Sequence, residues 1–204
     1  HQGTFDLSYL TLIPNLVVSA PKDENELQHL IYTAVSLEHP MAIRYPRDYG
    51  LGVSMDTDLR ALPIGKGEIL RQGKDVAILA IGATVAPALE ATRELASCGI
   101  EATVVNARFA KPLDSELVLG IGDQIKRMVT VEENVVIGGF GSGVVDLFQK
   151  AGLCDVHVEC IGIPDEFVEH GTQEILRAKY RLDTKGITQA VFSLFPDYKP
   201  GSST

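Results

Sequence analysis

Apolar runs of strand length alternate with stretches of helical periodicity along almost the whole chain, and this alternation is what most constrains the fold. Such a pattern favours an α/β architecture, a largely parallel sheet with helices on its faces. Ile64 to Leu70 reads as an opening strand, and Val76 to Ile81 is apolar throughout, as expected of a strand buried on both faces. With Thr84 as its cap, the next helix turns Val85, Ala88, Leu89, Leu95 and Ala96 inward and stops at Gly99. Glu101 to Val105 and Arg127 to Glu132 are further strands, with a short helix from Asp114 between them. A helix follows Gly141, a strand covers Val156 to Ile161, and the last two helices begin at Thr172 and Asp183. The final one buries Ile187, Ala190, Val191, Leu194 and Phe195.

The first 48 residues carry less. Leu16 to Ala20 is a strand closed by Pro21, and Asp23 with Glu26 forms a capping-box pattern. Leu27, Leu30, Ile31, Ala34 and Val35 then recur at helical spacing as one apolar face, before a strand from Met41 to Tyr45. This is a single βαβ unit. From Asp48 to Leu62 the periodicity fails, and Gly50, Gly52, Pro63 and Asp56-Thr57-Asp58 read as a surface linker. The expected division is a remnant over 1–55, a linker over 56–63, a complete domain over 64–199 and a disordered tail over 200–204. The remnant is expected not to bury its sheet faces without strands upstream of it, as in a piece cut from a longer polypeptide.

A net charge of −9 and a pI near 5.0 argue against neutralising nucleic acid or an anionic membrane. No apolar run is long enough to span a bilayer. Cys98, Cys154 and Cys160 lack CxxC spacing and read as small buried residues of a reducing cytosol.

Four constellations are candidates for chemistry. His1 opens the chain, and a histidine can move a proton near neutral pH, although an ordinary loop is the plainer reading. Arg44 and Arg47, in Arg44-Tyr45-Pro46-Arg47, end a strand where α/β sheets place ligand crevices. Residues three apart on a strand face opposite ways, so one arginine is expected to support structure while the other binds an anion, unless Pro46 bends the chain. Gly138 to Gly143 precedes a helix and could offer N–H groups to a phosphate, but close helix packing fits better because no nucleotide motif is complete. Glu132-Glu133 is either an acid/base pair or a solvated or capping pair. No spacing of His, Cys, Asp or Glu suggests a metal site.

Together, HQGTFDLSYL, IPNLVVSAPKDENEL, RYPR, LPIGKGE, VVNARFAKPLD, VTVEEN, GGFGSGV and GIPDEFVEHGTQEI, in this order from His1 to Ile175, resemble the 1-deoxy-D-xylulose-5-phosphate synthases, transketolase-like thiamine-diphosphate enzymes. The resemblance implies a three-layer α/β/α transketolase C-terminal-like domain, preceded by the end of a pyrimidine-binding domain. For the parent it implies condensation of pyruvate with D-glyceraldehyde 3-phosphate to 1-deoxy-D-xylulose 5-phosphate and CO2, on the way to isoprenoids, thiamine and pyridoxal. It implies thiamine diphosphate and Mg2+ in that parent, with none bound by this chain alone, and a homodimer in the bacterial cytoplasm, or in the plastid of a plant or alga. By the same resemblance His1 is the active-site histidine, Arg47 grips the substrate phosphate and Arg44 supports it. Asp48 stands where the family usually has Gly, and a carboxylate there weakens anion affinity unless it points away. The alternatives are a transketolase, a 2-oxoacid dehydrogenase β-subunit, or a non-catalytic dimerisation module.

Overall fold

A computed structural model describes residues 3–196 of the chain. His1 and the tail over 200–204 therefore lie outside the described residues. Helix α1 (Asp6–Thr11), strand β1 (Val17–Ser19), helix α2 (Glu24–Ser36) and strand β2 (Met41–Ile43) come first. After an irregular stretch follow β3 (Glu68–Arg71), β4 (Val76–Ala80), α3 (Val85–Ser97), β5 (Ala102–Asn106) and β6 (Phe109–Lys111). The chain continues through α4 (Ser115–Gln124), β7 (Arg127–Val135), α5 (Phe140–Ala151), β8 (His157–Ile163), α6 (Gln173–Lys179) and α7 (Thr184–Ser193).

The main sheet has the order β3-β5-β4-β7-β8, parallel except for β3, which pairs antiparallel with β5 at the edge. β4 and β5 are buried at every position. The side chains of β4 divide between two cores: Val76, Ile78 and Ala80 meet α3 and α7, while Ala77 and Leu79 meet α4 and α5. That is the α/β/α sandwich expected from the apolar runs. Helix starts follow local chemistry, since Asp23, Asp114, Thr172 and Asp183 each accept a hydrogen bond from a backbone N–H of the first turn. Thr84 does not cap α3. Its hydroxyl instead donates to the carbonyls of Ile81 and Val131, tying the end of β4 to β7.

The opening segment does not stand apart. β1 pairs parallel with β2 and antiparallel with β6, so a strand from beyond the linker completes a three-stranded sheet. Leu7, Val18 and Ala20 enter the same core as α4 and α5. The expectation that this segment cannot bury its sheet is thus corrected for β1, whose Val18 and Ser19 are fully buried. β2 is only half-buried.

Helix α2 is rotated from its apolar periodicity, of which only Leu30 is buried. Its buried residues are Glu26, His29, Leu30 and Thr33, while Ile31 is 49% and Val35 83% exposed. Hydrogen bonds explain the orientation. Glu24 accepts from the N–H groups of Leu51, Gly52 and Val53, His29 Nε2 meets Asp56 at 2.8 Å, and Leu62 N–H donates to Thr33. Residues 51–62 carry no helix or strand, yet they are strapped along α2 rather than loose on the surface. No helix among the described residues is long and apolar enough to cross a membrane.

Candidate functional site

Glu132 and Glu133 leave β7 side by side and do different work. Glu132 is fully buried and accepts from Phe140 N–H at 2.7 Å and Gly141 N–H at 2.8 Å, at the start of α5. The glycine-rich turn is there for close approach. A Cβ at Gly139 would stand 2.4 Å from the Glu132 carboxylate, and one at Gly141 equally close to the Thr130 hydroxyl. This helix N-terminus is therefore occupied by an internal carboxylate.

Burial pushes the Glu132 carboxyl up to about 7, against the pull of the two N–H groups and the Arg44 charge. An unfolded glutamate titrates near 4.5, so the folded chain holds a proton through the interval that the unfolded chain has already lost. The stability that Glu132 contributes is complete below about 4.5 and is lost as the pH rises to about 7. The loss amounts to about 3 kcal/mol. Denaturant unfolding of the chain and of its Glu132→Gln variant at pH 5 and pH 7.5 checks this. The variant should lose less stability over that interval, and equal losses would refute the assignment.

Glu133 is a bridge. One carboxylate oxygen accepts from Arg44 Nη1 at 2.9 Å, the other from Arg177 Nε at 2.5 Å, and its carbonyl accepts from Arg44 Nη2 at 3.0 Å. Burial would raise its pKa, but the two guanidinium groups outweigh burial and hold it below the usual carboxylate range. Both Nη groups of Arg44 are thereby held by one residue.

Arg47 has a different environment. β2 ends at Ile43, so strand alternation no longer applies, and Arg44 and Arg47 line the same cavity of about 550 Å³. Arg47 is exposed and makes no ion pair among the described residues, while its carbonyl accepts from Gln173 Nε2 at 3.0 Å. Asp48 lines a second cavity of about 350 Å³, and its carboxylate accepts from the Tyr49 N–H. Gly3, Thr4 and His170 also border the larger cavity. Its charges are three arginines against Asp6 and Glu133, a cationic spot on a chain of net charge −9.

The sequence reading missed Gln173, Arg177 and the bridging role of Glu133. The one available signal was the spacing of Gln173 and Arg177, four apart on α6 and so on one helix face. None of the three cysteines is fully buried, contrary to the small-core reading, and all are unpaired. Burial pushes the Cys160 thiol up, away from thiolate chemistry.

The chain matches two families, described as "Transketolase, C-terminal domain" over residues 65–187 and "Transketolase, pyrimidine binding domain" over residues 1–50. It is 57% identical over 195 residues, 95% of its length, to a 1-deoxy-D-xylulose-5-phosphate synthase of Dehalococcoides mccartyi. It is 56% identical over 191 residues to 1-deoxy-D-xylulose-5-phosphate synthase 1 of Geobacter metallireducens. The chain spans 31% of the length of each of these relatives. A solved structure titled "Split gene transketolase, inactive beta4 tetramer" is 34% identical, with a TM-score of 0.80, over 92% of this chain and 60% of that one.

Proposed function

This chain belongs to the transketolase C-terminal domain family, and from that premise we propose that it is the rear portion of a 1-deoxy-D-xylulose-5-phosphate synthase. In the parent, pyruvate loses CO2 and its remaining two carbons join the aldehyde carbon of D-glyceraldehyde 3-phosphate, giving 1-deoxy-D-xylulose 5-phosphate. The parent is a homodimer of the cytoplasm. The carrying observation is that Arg47 borders a cationic cavity with no ion pair among the described residues, while both Nη groups of the neighbouring Arg44 are held by Glu133. The names of the close relatives support the same reading.

In this reading Arg47 offers paired donors to the substrate phosphate. Gln173 holds the Arg47 backbone in place through its carbonyl. The Asp48 carboxylate is engaged by the Tyr49 N–H and borders the other cavity, which removes the conflict of an acid beside the phosphate arm. His1, assigned to proton transfer at the reacting groups, lies outside the described residues.

The reading implies thiamine diphosphate and Mg2+. Among the described residues no three His, Cys, Asp or Glu side chains gather to hold a metal, and the α5 N-terminus is filled by Glu132 rather than open to a diphosphate. These residues do not fit the cofactor. We assign its binding to those parts of the parent that the longer relatives contain and this chain does not match.

Acceptor choice in the full-length parent is the test. With pyruvate as donor it should consume D-glyceraldehyde 3-phosphate and release one CO2 for each molecule joined. A parent that required a ketose donor, or passed its two-carbon unit to a lipoyl group, would be a transketolase or a 2-oxoacid dehydrogenase instead.

A further inference from the structure

We propose that Arg177, on α6 of the C-terminal domain, is a second arm of the substrate-phosphate site, facing Arg47 across the larger cavity. The proposal rests on the synthase reading above and adds a residue from the C-terminal domain.

The guanidinium of Arg177 is held by its Nε on the Glu133 carboxylate, and its side chain is 29% exposed. Its two Nη groups meet no acceptor among the described residues. Arg44 is the contrast, bonded to the same glutamate through both of its Nη groups. Glu133 thus orients both arginines, Arg44 through both Nη groups and Arg177 through Nε, so that only Arg177 keeps both Nη groups without an acceptor among the described residues.

Arg177 borders both cavities, and charge decides between them. The smaller one sets Lys22 and Arg177 against Asp23, Glu24 and Asp48, a net negative charge that disfavours an anion. In the larger one Arg44, Arg47 and Arg177 stand against Glu133 and Asp6, a net positive charge, and Glu133 is already matched by two of the guanidinium groups. A phosphate dianion there meets a pre-oriented fork on one wall and a free arginine on the other. Orientation by Nε matters because it removes most of the rotamer freedom that binding would otherwise have to freeze. Gln173, one helical turn before Arg177, holds the Arg47 carbonyl, so α6 sets both arms.

The experiment compares D-glyceraldehyde 3-phosphate with unphosphorylated D-glyceraldehyde as acceptors for the full-length parent and its Arg177→Met and Arg177→Lys variants. Arg177→Met should lower kcat/KM for the phosphorylated acceptor tenfold or more and leave that for D-glyceraldehyde and the KM for pyruvate within threefold. Arg177→Lys keeps the charge but not the fork, and should fall between. If Arg177→Met does not fold, Arg177→Lys decides: a fall of several-fold confined to the phosphorylated acceptor supports the second arm. A purely structural role would depress both acceptors together, and an unchanged ratio between them overturns the inference. A wild-type parent with no preference for the phosphorylated acceptor would instead overturn the synthase reading on which this rests.

Discussion

Arg47→Ala in the full-length parent should raise the KM for D-glyceraldehyde 3-phosphate ten- to a hundredfold, while the KM for pyruvate stays within twofold. The range follows from the ~1.5–3 kcal/mol carried by a hydrogen bond to a charged group. The split follows from position. The phosphate sits at the far end of the acceptor from the aldehyde, so its grip is the same before and during bond formation. Such uniform binding appears in KM and not in kcat. Arg44→Ala should behave differently, because Arg44 spends its donors on Glu133 rather than on an open cavity. It should disturb pyruvate and acceptor alike. Equal KM changes for both substrates in Arg47→Ala would remove the phosphate role.

The second large effect is on stability. Glu26→Ala should destabilise the chain by about 3–5 kcal/mol, the usual cost of leaving a buried charge without its counter-ion. Glu26 on α2 is 3% exposed, and its carboxylate accepts from Arg108 Nε at 2.7 Å and from Asn106 Nδ2 at 2.8 Å. It also takes the Lys22 N–H at 2.8 Å. The bonds from Asn106 and Arg108 join the opening segment to the end of β5 and the turn before β6, the strand that completes the β1 sheet. Removing the carboxylate strands the Arg108 guanidinium, which keeps only the half-exposed Glu68 and the Lys66 carbonyl. Adding Arg108→Ala to Glu26→Ala should therefore cost much less than Arg108→Ala alone. Denaturant unfolding of the four proteins measures it. Two small and additive losses would mean that the bridge carries no weight.

Much of the sheet was legible because its strands are buried on both faces and must be apolar throughout, as Val76 to Ala80 are. Helix starts were legible where a single side chain decides them, as at Asp23, Asp114, Thr172 and Asp183. The orientation of α2 was not. Leu27, Leu30, Ile31, Ala34 and Val35 have the spacing of a core face, but of these only Leu30 is buried, because five hydrogen bonds from the irregular stretch to Glu24, His29 and Thr33 rotate the helix toward its polar flank. β6 was missed because Phe109, Ala110 and Lys111 are too few to show a period, and their partner β1 lies some ninety residues earlier. In the candidate site the arginine motif was visible as residue type and strand end. Its sorting into one spent and one free arginine depends on Glu133, far along the chain, and no local pattern carries that. Arg177 was hidden for the same reason, as one of two cations on a short helix.

The most direct measurement is a crystal structure of the full-length parent with D-glyceraldehyde 3-phosphate or a phosphonate analogue bound. The account places the phosphorus group in the cavity at the end of β2, within hydrogen-bonding distance of the Arg47 guanidinium. A phosphate bound elsewhere in the active site, with Arg47 turned to solvent, would contradict it.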